Sequence, residues 1–68
     1  NTSYIFLADG FEEIEALTVI DVLRRAGMDI KSVSITDSLN VTGAHGITVM
    51  ADVLYEKTDF ITPEWLII

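Results

Sequence analysis

The 68 residues contain no cysteine, and proline, tryptophan and histidine occur once each. Without cysteine the chain cannot itself supply a disulfide framework, a thiolate zinc site or a cysteine nucleophile. Basic residues are also scarce: four Lys or Arg stand against eleven Asp or Glu, for a net charge of −7. Phosphate backbones are bound through basic stripes, so nucleic acid is excluded as an expected partner. An acidic surface of this kind mainly supports solubility. No apolar run approaches the roughly 20 residues that a membrane-spanning helix needs. A basic segment followed by an apolar stretch and a small-residue cleavage site is also missing, so no secretory signal is read. The expectation is a cytoplasmic protein with no membrane partner. No further glycine follows Gly10 at dinucleotide or Walker A spacing, and Ser3, Ser32, Ser34 and Ser38 lack a nucleophile-elbow context. The Asn-x-Ser/Thr patterns at positions 1–3 and 40–42 are short enough to arise by chance.

Half the residues are hydrophobic, too many for a disordered tail. A single domain of this length buries only about 60% of its unfolded surface, so this much apolar side chain calls for a larger core than the chain builds alone. Residues 4–7 form a short aromatic and apolar run ending in Ala8-Asp9-Gly10, a strand feeding a tight turn. Residues 12–26 read as a helix. Glu12, Glu13 and Glu15 crowd its first turn, Arg24 and Arg25 its last, and Gly27 follows as a cap. Residues 28–35 are rich in β-branched side chains and read as a second strand. Residues 37–46 are polar, with two glycines, and read as a loop. Residues 47–55 are a third strand, 58–63 a connection and 65–68 the start of a fourth, buried strand. The order β-α-β-β-β begins with a βαβ unit, for which parallel pairing is expected. One helix covers one face of a parallel sheet that needs cover on both. The chain also stops inside an apolar strand. Both features lead to the expectation of the first part of a doubly wound sheet whose remainder lies outside these residues.

On a helical wheel at about 100° per residue, Ala16, Val19, Ile20, Val22, Leu23 and Ala26 form one apolar face. Glu13, Thr18, Asp21, Arg24 and Arg25 fall opposite. Glu15 lies inside the apolar sector, where a charge is costly unless paired or neutralised. One reading is an acid aimed into a pocket at the carboxyl end of the first strand, where α/β sheets build their sites. The other is a first-turn glutamate that favours the helix dipole and escapes to solvent. Ile14 and Leu17 are apolar on the polar side, a pattern of partner surfaces or of ordinary surface scatter. Asp9 with Glu12 and Glu13 resembles a Mg²⁺-binding acidic cluster, but a receiver-type site needs a further aspartate after the third strand, and none is well placed. His45, flanked by Gly43 and Gly46, is a loop histidine, either a general acid or base or a solvated polar residue.

The run Ile5-Phe6-Leu7-Ala8-Asp9-Gly10-Phe11-Glu12-Glu13-Ile14-Glu15-Ala16 resembles the first strand and helix of the ThiJ/PfpI superfamily, which includes the parkinsonism-associated deglycase. Ile20-Asp21-Val22-Leu23-Arg24-Arg25-Ala26-Gly27 and Val41-Thr42-Gly43-Ala44-His45-Gly46-Ile47 are similar to the helix end and the next loop of that family. The resemblance implies a partial flavodoxin-like, Rossmann-type, doubly wound and mostly parallel α/β sheet, with residues 1–68 as the N-terminal part of one domain. It also implies a cysteine nucleophile on a strand-to-helix turn beyond this chain. Glu15 is then the catalytic partner and proton donor to that cysteine, Gly10 and His45 sit at the pocket rim, and Ile14, Leu17 and Arg25 lie at a homodimer interface. No cofactor or metal is implied. The substrate is a small carbonyl compound, a glycated adduct or an amide, as in glyoxalase, deglycase and amidase chemistry. The intact protein is then an enzyme, and this chain alone is catalytically incomplete. A redox-sensing or chaperone-like member without turnover, or a flavodoxin-like binding or receiver module, are the alternatives.

Overall fold

A computed structural model of the protein describes residues 2–58 and 66–67. Strand β1 (Ser3–Leu7) leads into helix α1 (Glu13–Arg25) and strand β2 (Ile30–Ser34). Strands β3 (Asn40–Thr42) and β4 (Thr48–Met50) follow, then β5 (Val53–Leu54), a 3₁₀ turn (Tyr55–Lys57) and β6 (Leu66–Ile67). The main sheet has the order β5-β2-β1-β6, and all three pairings in it are parallel. The parallel β1–α1–β2 unit agrees with the sequence reading, as does a late strand within 65–68.

Two expectations change. The polar region 37–46 is not all loop, because β3 lies within it and pairs antiparallel with β4 as a separate hairpin. Residues 47–55 are not one strand: β4 belongs to the hairpin and β5 to the main sheet. The switch occurs at Asp52, whose carboxylate accepts from Ser32 N–H at 2.8 Å and Ser32 Oγ at 3.0 Å. The Asp52 N–H returns a bond to Ser32 Oγ at 2.9 Å. A side chain that bonds backbone this way competes with continued strand pairing and redirects the chain. Most of the connection expected at 58–63 lies outside the described residues, as do Trp65 and Ile68.

Strand alternation puts Ile5 and Leu7 on one face of the sheet. They pack with Ile30, with Ala16 and Ile20 of α1, and with Val41 and Ala51 of the hairpin segment. Burying one such aliphatic side chain contributes about 1.5–3 kcal/mol. Phe6 points to the other face, where its ring meets Tyr55 edge-on at 6.2 Å. The helix ends as its residues dictate. The Glu12 carboxylate caps Ile14 N–H at 3.2 Å. Gly27, at φ 85°, closes the other end with bonds from Gly27 N–H to Arg24 and from Met28 N–H to Leu23, both 3.0 Å, the pattern of a left-handed glycine cap.

Candidate functional site

The turn after β1 lies at the carboxyl end of the parallel sheet, where ligand sites of open α/β sheets gather. Three bonds lace it to the hairpin. Gly10 N–H donates to the Thr42 carbonyl at 2.7 Å, Ala44 N–H to the Phe11 carbonyl at 2.8 Å, and Thr42 N–H to Asp9 Oδ1 at 3.1 Å. Gly10 adopts φ 90°, a backbone state open to glycine at little cost. Asp9 is thus occupied as a cap for the hairpin, which argues against an open acidic Mg²⁺ cluster of the receiver kind.

Beside this turn is a pocket of about 200 Å³. Its walls are Ile5, Phe6 and Leu7 of β1, Glu12, Glu15, Ala16 and Val19 along the helix, and Ile67 of β6. Two carboxylates therefore stand on an otherwise apolar lining. Glu15 is solvent-exposed as it faces this space, and so are Val22 and Ala26 on the same flank of the helix. Gly10 and His45 are not among the lining residues. Ile14 and Leu17 are exposed, 76% and 40%, which places them outside the core as the wheel has them. Arg25 is exposed and bonds Asp21 one turn earlier at 3.1 Å.

The wheel fails at Glu13. Placed on the polar side, it is instead buried, with its side chain only 4% exposed, because the hairpin folds over that side of the helix. Its Oε2 accepts from His45 N–H at 2.7 Å and Ile47 N–H at 3.3 Å, and its Oε1 lies 2.9 Å from His45 Nδ1. Burial alone would push this carboxyl upward. The His45 imidazole and the backbone N–H groups of Glu13, His45 and Ile47 outweigh it and bring the pKa down to about 2. The same hydrogen bond, with the negative charges of Glu13 and Glu12, raises His45 above its ordinary value. The His45 ring is otherwise 69% exposed. Gly43 abuts the Glu13 side chain so closely that a Cβ there would overlap the carboxyl carbon. The only hint of this in the sequence is the glycine-flanked histidine, and nothing in the periodicity of α1 connects it to Glu13.

Among the described residues, ligand atoms of Glu12, Glu13 and His45 fall within 4.8 Å of one another. Both oxygens of Glu13 are already taken by the three hydrogen bonds, so the grouping reads as an ion pair that builds the loop. No helix among the described residues is long and apolar enough to cross a membrane.

The model of the DJ-1/PfpI family matches residues 2–68. The chain belongs to the DJ-1/PfpI family. It is 44% identical over 53 residues to Protein DJ-1 homolog B of Arabidopsis thaliana, covering 78% of this chain and 12% of that protein. Oxidized DJ-1 of Toxoplasma gondii superposes with a TM-score of 0.90 at 34% identity, over 96% of this chain and 35% of the other. A cysteine-to-alanine mutant of a DJ-1 superfamily protein from Salmonella typhimurium gives 0.79 at 34% identity, over 82% and 30%. The fold is therefore a mixed α/β, mostly parallel sheet, a partial flavodoxin-like fold matching DJ-1 structures. The 68 residues span about a third or less of each of these relatives.

Proposed function

We propose that residues 1–68 form the N-terminal part of a single DJ-1/PfpI domain whose full-length protein carries out cysteine-dependent chemistry on small carbonyl compounds, glycated adducts or amides. The observation that carries this reading is the position of Glu15, a carboxylate near the carboxyl end of β1 on the wall of a pocket whose lining is apolar apart from Glu15 and Glu12. In this reading a cysteine thiolate from outside these residues attacks the carbonyl carbon. A C–S bond forms, the carbonyl π electrons move to oxygen, and the oxygen takes up a proton. Glu15 in its acid form is the hydrogen-bond donor beside sulfur, a group suited to stabilising thiolate and moving that proton. No cofactor is required. Ile14, Leu17 and Arg25 form part of a homodimer interface, and the protein works in the cytoplasm.

A second reading, redox sensing without turnover, is favoured by one relative, whose structure is described as oxidized. Methylglyoxal consumption at fixed concentration of the full-length protein separates the two. Sustained turnover favours the enzyme, and sulfinate formation alone favours the sensor. Glu15→Gln and Glu15→Ala should slow both carbonyl consumption and cysteine oxidation. Rates unchanged in both assays would remove Glu15 from the mechanism.

A further inference from the structure

We propose that Glu13, with His45 and Gly43, is a positioning device that sets where Glu15 stands. This inference rests on the role proposed above for Glu15. The two glutamates are two residues apart on the first turn of α1, about 200° around the helix axis at 100° per residue. Glu15 faces the pocket, and Glu13 faces the hairpin. Any rotation or lift of the first helical turn therefore moves both side chains together.

What ties that turn to the hairpin is the Glu13 carboxylate. It is buried and takes three hydrogen bonds from the segment between β3 and β4. A buried carboxylate with this many donors has one geometry, because shifting it would strand the donors without partners. Gly43 lets the hairpin approach. The structure has no room for a Cβ at that position, so the glycine is needed for space. His45 adds its imidazole Nδ1 to Glu13 Oε1, and its side chain is largely exposed. The remaining stitches, Gly10 N–H to Thr42, Ala44 N–H to Phe11 and Thr42 N–H to Asp9, tie the preceding turn to the same hairpin but do not reach the helix itself. The hairpin thus grips α1 through Glu13, which is not among the pocket-lining residues, yet it fixes the orientation of the pocket carboxylate.

The test is the thiol titration of the full-length protein, followed by thiolate absorbance, in Glu15→Ala, Glu13→Ala, Gly43→Ala and His45→Ala. Loss of the donor at position 15 should raise the thiol pKa. Glu13→Ala and Gly43→Ala should raise it in the same direction, and Glu13→Gln, whose amide oxygen still accepts from the backbone, should restore most of the wild-type value. Adding Glu13→Ala to Glu15→Ala should shift the titration no further, since the two act through one group. A merely structural role for Glu13 predicts lower stability with an unmoved thiol pKa, or additive shifts, and either result overturns the inference. Should Glu13→Ala fail to fold, His45→Ala decides, because it leaves both buried backbone bonds in place: a small upward shift is expected, and none counts against the proposal. If Glu15→Ala itself leaves the titration unchanged, the reading of Glu15 falls first and independently.

Discussion

Glu13 shows how far one residue can depart from its pattern. A helical wheel considers one element, and by that measure Glu13 belongs in water. Burial was decided by a hairpin some thirty residues later, whose N–H groups supply what the carboxylate loses in leaving solvent. Ile14 and Leu17, by contrast, stay exposed as the wheel has them, because nothing in the described structure covers that side. The carboxyl of Glu13 is held at about 2, below its ordinary 4.5. A depressed acid contributes stability that is complete above the unfolded value and is lost as pH falls through the folded one. The resistance of the full-length protein to urea should therefore fall as pH drops from about 4.5 to 2, and Glu13→Gln should flatten that part of the profile. His45 works in the opposite sense. Its raised pKa means that its contribution is complete below 6.5 and fades as pH rises through the folded value. A ring-proton NMR titration should give a midpoint above 6.5, returning toward it in Glu13→Gln.

At the scale of elements, β1, α1 and β2 are legible in the sequence because each signal is local: an apolar run, a charged first and last turn, a glycine just past the helix. Gly27 makes the point quantitatively. Its surroundings are empty, and only its positive φ restricts it. Gly27→Ala should cost about 1 kcal/mol, read as a lower urea midpoint with the slope unchanged. The hairpin and β5 are not legible, because their boundaries depend on Asp52 finding Ser32 in a strand twenty residues away. The Asp52 carboxylate also meets Arg24 Nη2 at 2.7 Å, so it joins α1, β2 and β5. Burial raises the Asp52 carboxyl, but the Ser32 bonds and Arg24 bring it below its usual range. Both charged partners of that ion pair are well exposed, so most of the effect of Asp52→Ala should come from the lost bonds of its carboxylate to the Ser32 N–H and hydroxyl, roughly 1 kcal/mol. Asp52→Asn, which keeps an acceptor, should lose less. Equal losses in the two variants would mean that charge, not the hydrogen bonds, holds the junction.

At the scale of the whole molecule, the family was readable from the first twenty-seven residues and the loop at 41–47, and the parallel sheet from the strand–helix–strand order of residues 4–35. The pocket lining, with Glu15 exposed at its edge, depends on how β6 and the helix face one another, which no local pattern contains. Glu15, Val22 and Ala26 share an uncovered flank, and in the proposed full-length domain further chain packs there. The intact mass under denaturing conditions should accordingly lie well above 7.5 kDa. Ile14→Asp with Leu17→Asp should convert the proposed homodimer to monomers by light scattering, with the thiol chemistry of each subunit retained; a dimer that persists would place the interface elsewhere. The most direct test of the central claim is a crystal structure of the full-length protein in its reduced form. The account predicts a cysteine sulfur on a strand-to-helix turn within hydrogen-bond reach of the Glu15 carboxyl. A pocket closed over Glu15 with no thiol facing it would contradict the account.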